Sequence, residues 1–119
     1  MDEVQGKVTI APLVLTTIVK QTTLDQRGVR RLAPIPPRMR SLRAGAAVED
    51  GIAVMVGEQG VQVEVHVVAD NDSNMLKLGS TLQTEITRAL EEMVGMPVAT
   101  VDVYIDDVVM PVANSANAS

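Results

Sequence analysis

Residues 70–95 constrain the fold most, because their spacing predicts one long amphipathic helix between two Val-rich segments. Apolar side chains recur every three or four positions, which keeps one side of a helix of about 3.6 residues per turn apolar. These side chains are Met75, Leu78, Leu82, Ile86, Ala89 and Met93. Asp72 or Ser73 is expected to cap the first turn, while Gly95 and Pro97 favour termination. One face of this helix is therefore expected to cover a hydrophobic core.

Strand-like alternation occurs on both sides of the helix. Residues 61–68 alternate most clearly, with Val61, Val63, Val65 and Val67 on one side and Gln62, Glu64 and His66 on the other. Further strands are predicted at residues 6–10, 29–33, 52–56 and 98–105, and a first helix begins at Pro12 with Val14, Leu15, Ile18 and Val19 as its apolar side. The element order is then β-α-β-β-β-α-β, and a strand–helix–strand passage predicts parallel pairing. The predicted class is α+β: a two-layer sandwich, a mixed sheet with two helices on one face and one wet face.

The composition places limits on the core and on the chemistry. At 119 residues the chain is expected to form a single domain over residues 1–110, followed by a disordered tail at 111–119. The hydrophobic fraction is 46% with a single aromatic residue, Tyr104, so the core must be aliphatic. The absence of cysteine excludes disulfides, thiol nucleophiles and Cys-type zinc sites. Neither a secretory signal nor a transmembrane stretch is evident, and the absence of cysteine is compatible with a reducing cytoplasm.

Basic residues are concentrated in one segment of an otherwise acidic chain. The formal net charge is −5, yet six of the ten basic residues lie between positions 27 and 43. They are Arg27, Arg30, Arg31, Arg38, Arg40 and Arg43. A solvated, proline-stiffened loop is the simplest interpretation of this segment. The alternatives are contact with an acidic partner, an anionic lipid surface or nucleic acid.

His66 is the residue that most resembles a catalytic group, since its ordinary pKa is near neutrality and Glu64 points to the same side of the strand. No cysteine, second histidine or nucleophile motif accompanies it, so an exposed strand histidine is the favoured interpretation. Asp102 and Asp106 share a face if their strand is regular, and they are interpreted as an acidic, solvated edge. We therefore predict no catalytic, metal-binding or cofactor-binding residue.

The order of several motifs is more informative than any one of them. Gly6-Lys-Val-Thr-Ile10 precedes a helix, Gly28-Val29 follows it, and Leu82-Gln83 lies in the long helix. Met93-Val-Gly-Met-Pro-Val98 then leads into Val101-Asp-Val-Tyr-Ile105. Over residues 6–109 this arrangement resembles the alkaline shock protein family of bacterial envelope stress response proteins. The chain departs from that pattern at residues 70–72, where members commonly carry Tyr-Gly, and in the Pro/Arg loop at 34–43.

The resemblance implies a small cytoplasmic α+β protein without enzymatic activity or cofactor. It also implies a position near the inner face of the membrane, through a membrane-embedded partner protein, and self-association into a homo-oligomer. The function it favours is a non-enzymatic adaptor or scaffold of the cell-envelope stress response or envelope homeostasis. The alternative is a small nucleic-acid-binding module that uses the Arg-rich segment 27–43, which the acidic charge and the scarcity of aromatic residues disfavour.

Overall fold

The computed structural model describes residues 4–37 and 45–110. The elements whose bounds lie within these residues include two α-helices and five strands. The helices are α1 (Pro12–Leu24) and α2 (Met75–Ala89), and a π-helical turn (Leu90–Val94) extends α2. The strands are β1 (Val29–Leu32), β2 (Ala47–Glu49), β3 (Ile52–Gly57), β4 (Gly60–Asp70) and β5 (Val98–Val109). The α+β class is confirmed.

Strand β4 is the centre of the sheet. On one side it pairs in parallel with β5 along its whole length, from Val61 opposite Val98 to Asp70 opposite Val109. On the other side β3 pairs with its first half and β1 with its second half, both antiparallel. Strand β2 continues the sheet beyond β3. The predicted mixed sheet is therefore correct, and among the described strands β1, β2 and β5 each pair with a single neighbour and so lie at its edges.

Both helices cover the same face of the sheet, as predicted. The core contains the odd-numbered valines of β4, Ile52 and Val54 of β3, Leu15 and Val19 of α1, and Leu78, Leu82, Ile86 and Leu90. Burial of this many branched aliphatic side chains is the main source of stability, at about 1.5 to 3 kcal/mol for each one fully buried.

The place where β1 ends and β3 begins is crowded. The backbone N–H of Ala33 donates to the carbonyl of His66, and the N–H of His66 donates to the carbonyl of Gly51. A Cβ added to Gly51 would lie 2.2 Å from the Ala33 carbonyl oxygen, which is too close for any other residue. Gly51 thus allows two strands to meet end to end beside β4.

The predicted strand at residues 6–10 is wrong. These residues are exposed and have no strand partner in the described chain. They cannot pair with β4, because both of its edges are already occupied. The fifth strand is β2, which sequence analysis missed because three residues are too few to show a period. Asp50-Gly51 between Glu49 and Ile52 was the available signal, since Asp-Gly favours a two-residue hairpin. Asp50 has the positive φ of 55° that such a turn requires.

Two details of α2 also differ from prediction. The capping residue is Asn74, whose side chain accepts from the Lys77 N–H at 2.9 Å, and not Asp72 or Ser73. Met93, predicted in the core stripe, is 70% exposed. The π-helical turn is wider than an α-helical turn, so steps of four from Ile86 bring Leu90 and then Val94 towards the core. Gly95 ends the helix with a φ of 78°, as predicted.

Candidate functional site

The face of the sheet opposite the helices holds a cluster of polar side chains. The parallel register sets Glu64 opposite Asp102 and His66 opposite Tyr104, so even-numbered residues of β4 and β5 share this face. The register then shifts, because Val67 pairs with Ile105 while Val68 pairs with Asp107. Asp106 is the extra residue of this bulge, and a bulge of this kind redirects a side chain. Here the Asp106 carboxylate reaches the His66 ring.

His66 is buried, so the prediction of an exposed histidine on a wet face is wrong. Its side chain is 1% exposed, and Glu64 beside it is 3% exposed. The imidazole stacks on the ring of Tyr104, with centroids 4.5 Å apart and planes 8° from parallel. Nδ1 lies 2.7 Å from Oδ2 of Asp106 and Nε2 lies 2.6 Å from Oε2 of Glu64. The aromatic stack and the two hydrogen bonds replace the water that the sequence pattern had predicted.

The two hydrogen bonds limit what this cluster can do chemically. Each bond needs a proton, and a neutral imidazole carries only one, so the second proton is either on the ring or on a carboxyl group. Both ring nitrogens are engaged. The two nitrogens lie on opposite sides of the ring, so Asp106 is bonded to one of them and Glu64 to the other. Across residues 4–37 and 45–110, no group of His, Cys, Asp or Glu is arranged to hold a metal ion.

An open depression of about 300 Å³ lies beside this cluster. Glu64 and Asp102 give it an acidic side, while Ala53 and Met55 of β3 give it an apolar side. Asp102 is exposed, as predicted for an acidic, solvated edge. The predicted partnership of Asp102 with Asp106 is altered by the bulge, because the Asp106 carboxylate is hydrogen-bonded to His66.

The arginines singled out by the sequence are divided between different places. Arg27 borders a depression of about 500 Å³ together with Asp70, Asp72 and Lys77. Arg30 forms an ion pair with Asp70, with Nε 2.8 Å from Oδ1. Arg31 borders a separate depression near Asp50. The structure thus places acidic side chains beside all three; Arg38, Arg40 and Arg43 lie outside the described residues, and so does the tail at 111–119.

The outer edge of β5 is a second candidate for contact. Within the described ranges no strand pairs with this edge. Gln83 of α2 donates from Nε2 to the Val101 carbonyl at 3.1 Å, and the Val108 N–H donates to Oδ1 of Asp107 at 2.8 Å. These two hydrogen bonds lie near the two ends of the edge. Since peptide groups alternate in direction along a strand, those of Val103 and Ile105 point the same way as the Val101 carbonyl.

A shallow groove follows the same edge between β5 and α2. It has a volume of about 280 Å³ and is lined by Met75, Leu76, Gly79, Ser80 and Gln83 of α2 with Val103 and Ile105 of β5. Leu76 is 89% exposed, and a Cβ added to Gly79 would meet no atom within 4 Å. An exposed strand edge beside exposed apolar side chains is typical of a protein–protein contact.

Comparison with known proteins gives a match to a protein family. Residues 1–110 match a family described as the alkaline shock protein 23 family, with a cell envelope-related function. Neither a curated protein nor a solved structure matches the chain. In the part of the chain that the structure describes, neither helix is long and apolar enough to cross a membrane.

Proposed function

The chain belongs to the alkaline shock protein 23 family, and we propose that it acts there as a non-enzymatic adaptor or scaffold of the cell-envelope stress response or of envelope homeostasis. It works through protein–protein contacts near the inner face of the membrane, held there by a membrane-embedded partner protein, and it self-associates. In this role it is a cytoplasmic protein bound peripherally through its partner.

The observation that carries this proposal is the outer edge of β5 with its groove. The outward peptide groups of Val103 and Ile105 can pair with an added strand, and Leu76 offers apolar area beside them. An adaptor needs such a surface because its function is to be bound.

The polar cluster on the other face supports the same proposal. A general base needs a ring nitrogen that is free to take a proton from a substrate. In this protein both nitrogens of His66 are already hydrogen-bonded to carboxyl groups, and the ring is covered by Tyr104. The geometry favours a structural role for His66 over a catalytic one.

The arginines contribute attraction to an anionic membrane surface in this proposal. Arg27, Arg30 and Arg31 are all exposed, and a well-placed basic residue adds about 1 kcal/mol of attraction to anionic lipid. Arg30 contributes less, because the Asp70 carboxylate already offsets its charge. The nucleic-acid alternative is less favoured, since the chain has a single aromatic residue, Tyr104, and one face of its ring is already stacked on His66.

Binding to membranes tests the proposal directly. The full chain is sedimented with inverted inner-membrane vesicles, with the same vesicles after protease treatment, and with protein-free liposomes that contain or lack anionic lipid. We expect strong binding to intact vesicles only, with a weak increment from anionic lipid. Absence of binding to intact vesicles would contradict the proposal. If the chain bound anionic liposomes as strongly as intact vesicles, lipid and not a partner protein would hold it at the membrane.

A further inference from the structure

Residues 6–10 alternate in side-chain type as a strand does, but they pair with no strand of the described residues. Val8 is 92% exposed and Ile10 is 37% exposed, and neither belongs to the core. In an extended chain these two side chains point to one side, while Lys7 and Thr9 point to the other. An exposed β-branched alternation of this kind gains stability when it pairs with a strand edge.

The open part of the β5 edge matches this segment in length. Gln83 donates to the Val101 carbonyl and Asp107 accepts from the Val108 N–H, and no strand of the described residues pairs with the outer edge of residues 102–106 between them. This open stretch is five residues long, as is the segment 6–10. We propose that residues 6–10 of a second copy of this chain add to the outer edge of β5, with Val8 and Ile10 in the groove between β5 and α2. The inference shares with the proposed function its use of protein–protein contact at β5.

The two faces of the added strand agree with the two faces of β5. Val103 and Ile105 face the helix side, where the groove lies. An added strand with Val8 and Ile10 on that side would therefore place apolar side chains against apolar side chains. Its other side then carries Lys7 to the face of Asp102 and Asp106. The charges are complementary, which fixes which side of the segment faces the helix.

The same chain cannot supply the segment in this conformation. Only Ala11 separates residues 6–10 from α1, and α1 packs over β1, β2 and β3, on the far side of β4 from β5. The outer edge of β5 is at least two strand spacings away, about 10 Å. One residue spans only about 3.8 Å. The occupant is therefore a second copy.

Analytical ultracentrifugation of the full chain over a range of concentrations tests this inference with two matched pairs of variants. Val8→Asp is compared with Val4→Asp, because both valines are exposed and only Val8 lies within residues 6–10. Leu76→Glu is compared with Met93→Glu, because both side chains are exposed and only Leu76 lines the groove. We expect the wild type to self-associate, Val8→Asp and Leu76→Glu each to raise the dissociation constant by about tenfold or more, and both controls to match the wild type.

Cross-linking identifies which copy donates the segment. The chain contains no cysteine, so a disulfide forms only between residues introduced for this purpose. Under oxidising conditions a mixture of Val8→Cys and Leu76→Cys copies should give a linked pair, well above the background from Val4→Cys mixed with Leu76→Cys. A wild type that is monomeric at every concentration would overturn the proposal. So would a Val8→Cys, Leu76→Cys double variant that links only within one chain.

The variants also separate this inference from the proposed function. If Leu76→Glu still self-associates but no longer binds membrane vesicles, the groove receives a different partner and the second-copy proposal is wrong. If association follows the expected pattern while vesicle binding is absent, the adaptor proposal fails and the strand addition stands.

Discussion

The helix-covered face of the sheet and the centre of the opposite face both exclude water, but by different means. On the first, the valines of β4 pack against aliphatic side chains of α1 and α2. On the second, His66 is covered by Tyr104 and bonded to Glu64 and Asp106. Apolar contacts are individually weak and tolerate adjustment, whereas a buried polar group without its partner is costly. Alternation therefore indicates which side of a strand is apolar, but it does not indicate that the other side is wet.

The largest effect is expected on the polar face. His66→Ala removes both hydrogen bonds and the stacked ring, and it leaves the buried Glu64 carboxylate without its bond to the histidine. The cavity left by the buried ring and the loss of a hydrogen bond to a buried carboxyl group together cost about 3 to 5 kcal/mol. The control is Gln62→Ala on the same face of the same strand, which is exposed and should change stability by less than about 0.5 kcal/mol. Urea unfolding measures both, and equal midpoints would show that the cluster is not structural.

On the helix-covered face, Leu82→Ala should cost about 2 to 5 kcal/mol through the cavity it leaves, since Leu82 is fully buried in the core. Thr84→Ala on the exposed side of α2 serves as the control and should be nearly silent. Leu82→Met should recover part of the free energy of unfolding that Leu82→Ala loses. No apolar replacement of His66 should recover the free energy lost in His66→Ala, and this contrast would sharpen the comparison between the two faces. Comparable melting temperatures for Leu82→Ala and Thr84→Ala would contradict the assignment of the helix face.

A smaller change in stability, this time a gain, is expected where a polar atom is buried without a partner in the described chain, under the helix-covered face. Within residues 4–37 and 45–110, the Thr23 hydroxyl is buried with no hydrogen-bond partner. Thr23→Val keeps the shape of the side chain and removes the unsatisfied polar atom, so we expect a gain of about 1 kcal/mol. Thr17→Val, at an exposed position of the same helix, is the comparison. Destabilisation by Thr23→Val in calorimetry would show that the hydroxyl has a partner.

The smallest effect is expected from the exposed ion pair between Lys20 and Asp50. The pKa of Lys20 is raised above its ordinary value by the hydrogen bond to the Asp50 carboxylate and by the negative charge of that carboxylate. Because the folded-state pKa is the higher one, the stabilisation is fully present below the unfolded-state pKa of about 10.4 and is lost as pH rises through the folded value.

Asp50→Asn isolates this term, since asparagine also tolerates the positive φ at this position. The wild type should melt slightly above the variant at neutral pH, and the difference should shrink above about pH 10. A difference in melting temperature that is unchanged between about pH 8 and about pH 11 would rule out the ion pair as its source.

Sequence reasoning succeeded where a period was long enough to read. The eleven residues of β4 and the heptad-like spacing of α2 gave the core valines, Leu78, Leu82 and Ile86, and the parallel β5. It failed at the three-residue β2, and at Met93, whose place depends on a π-helical turn. Neither feature is long enough to impose a period on the sequence.

The candidate sites were less predictable for a different reason. Residues that meet at His66 come from positions 64, 66, 104 and 106, and the bulge that brings Asp106 to the ring exists only once β4 and β5 are paired. The open edge of β5 follows from the strand order, which the sequence does not state. The alternation at residues 6–10 predicted a strand that the structure does not contain, because both edges of β4 are occupied by other strands.

The position of β5 along the chain has a consequence for synthesis. It provides one whole side of β4, yet it follows every other strand, so the sheet cannot close until residues 98–109 have left the ribosome. Until then the valine-rich strand β4 has an uncovered edge and α2 lacks the strand it rests on. A nascent chain stalled before residue 98 should therefore be a ready client for chaperones and proteases, even though most of its core residues have already been made.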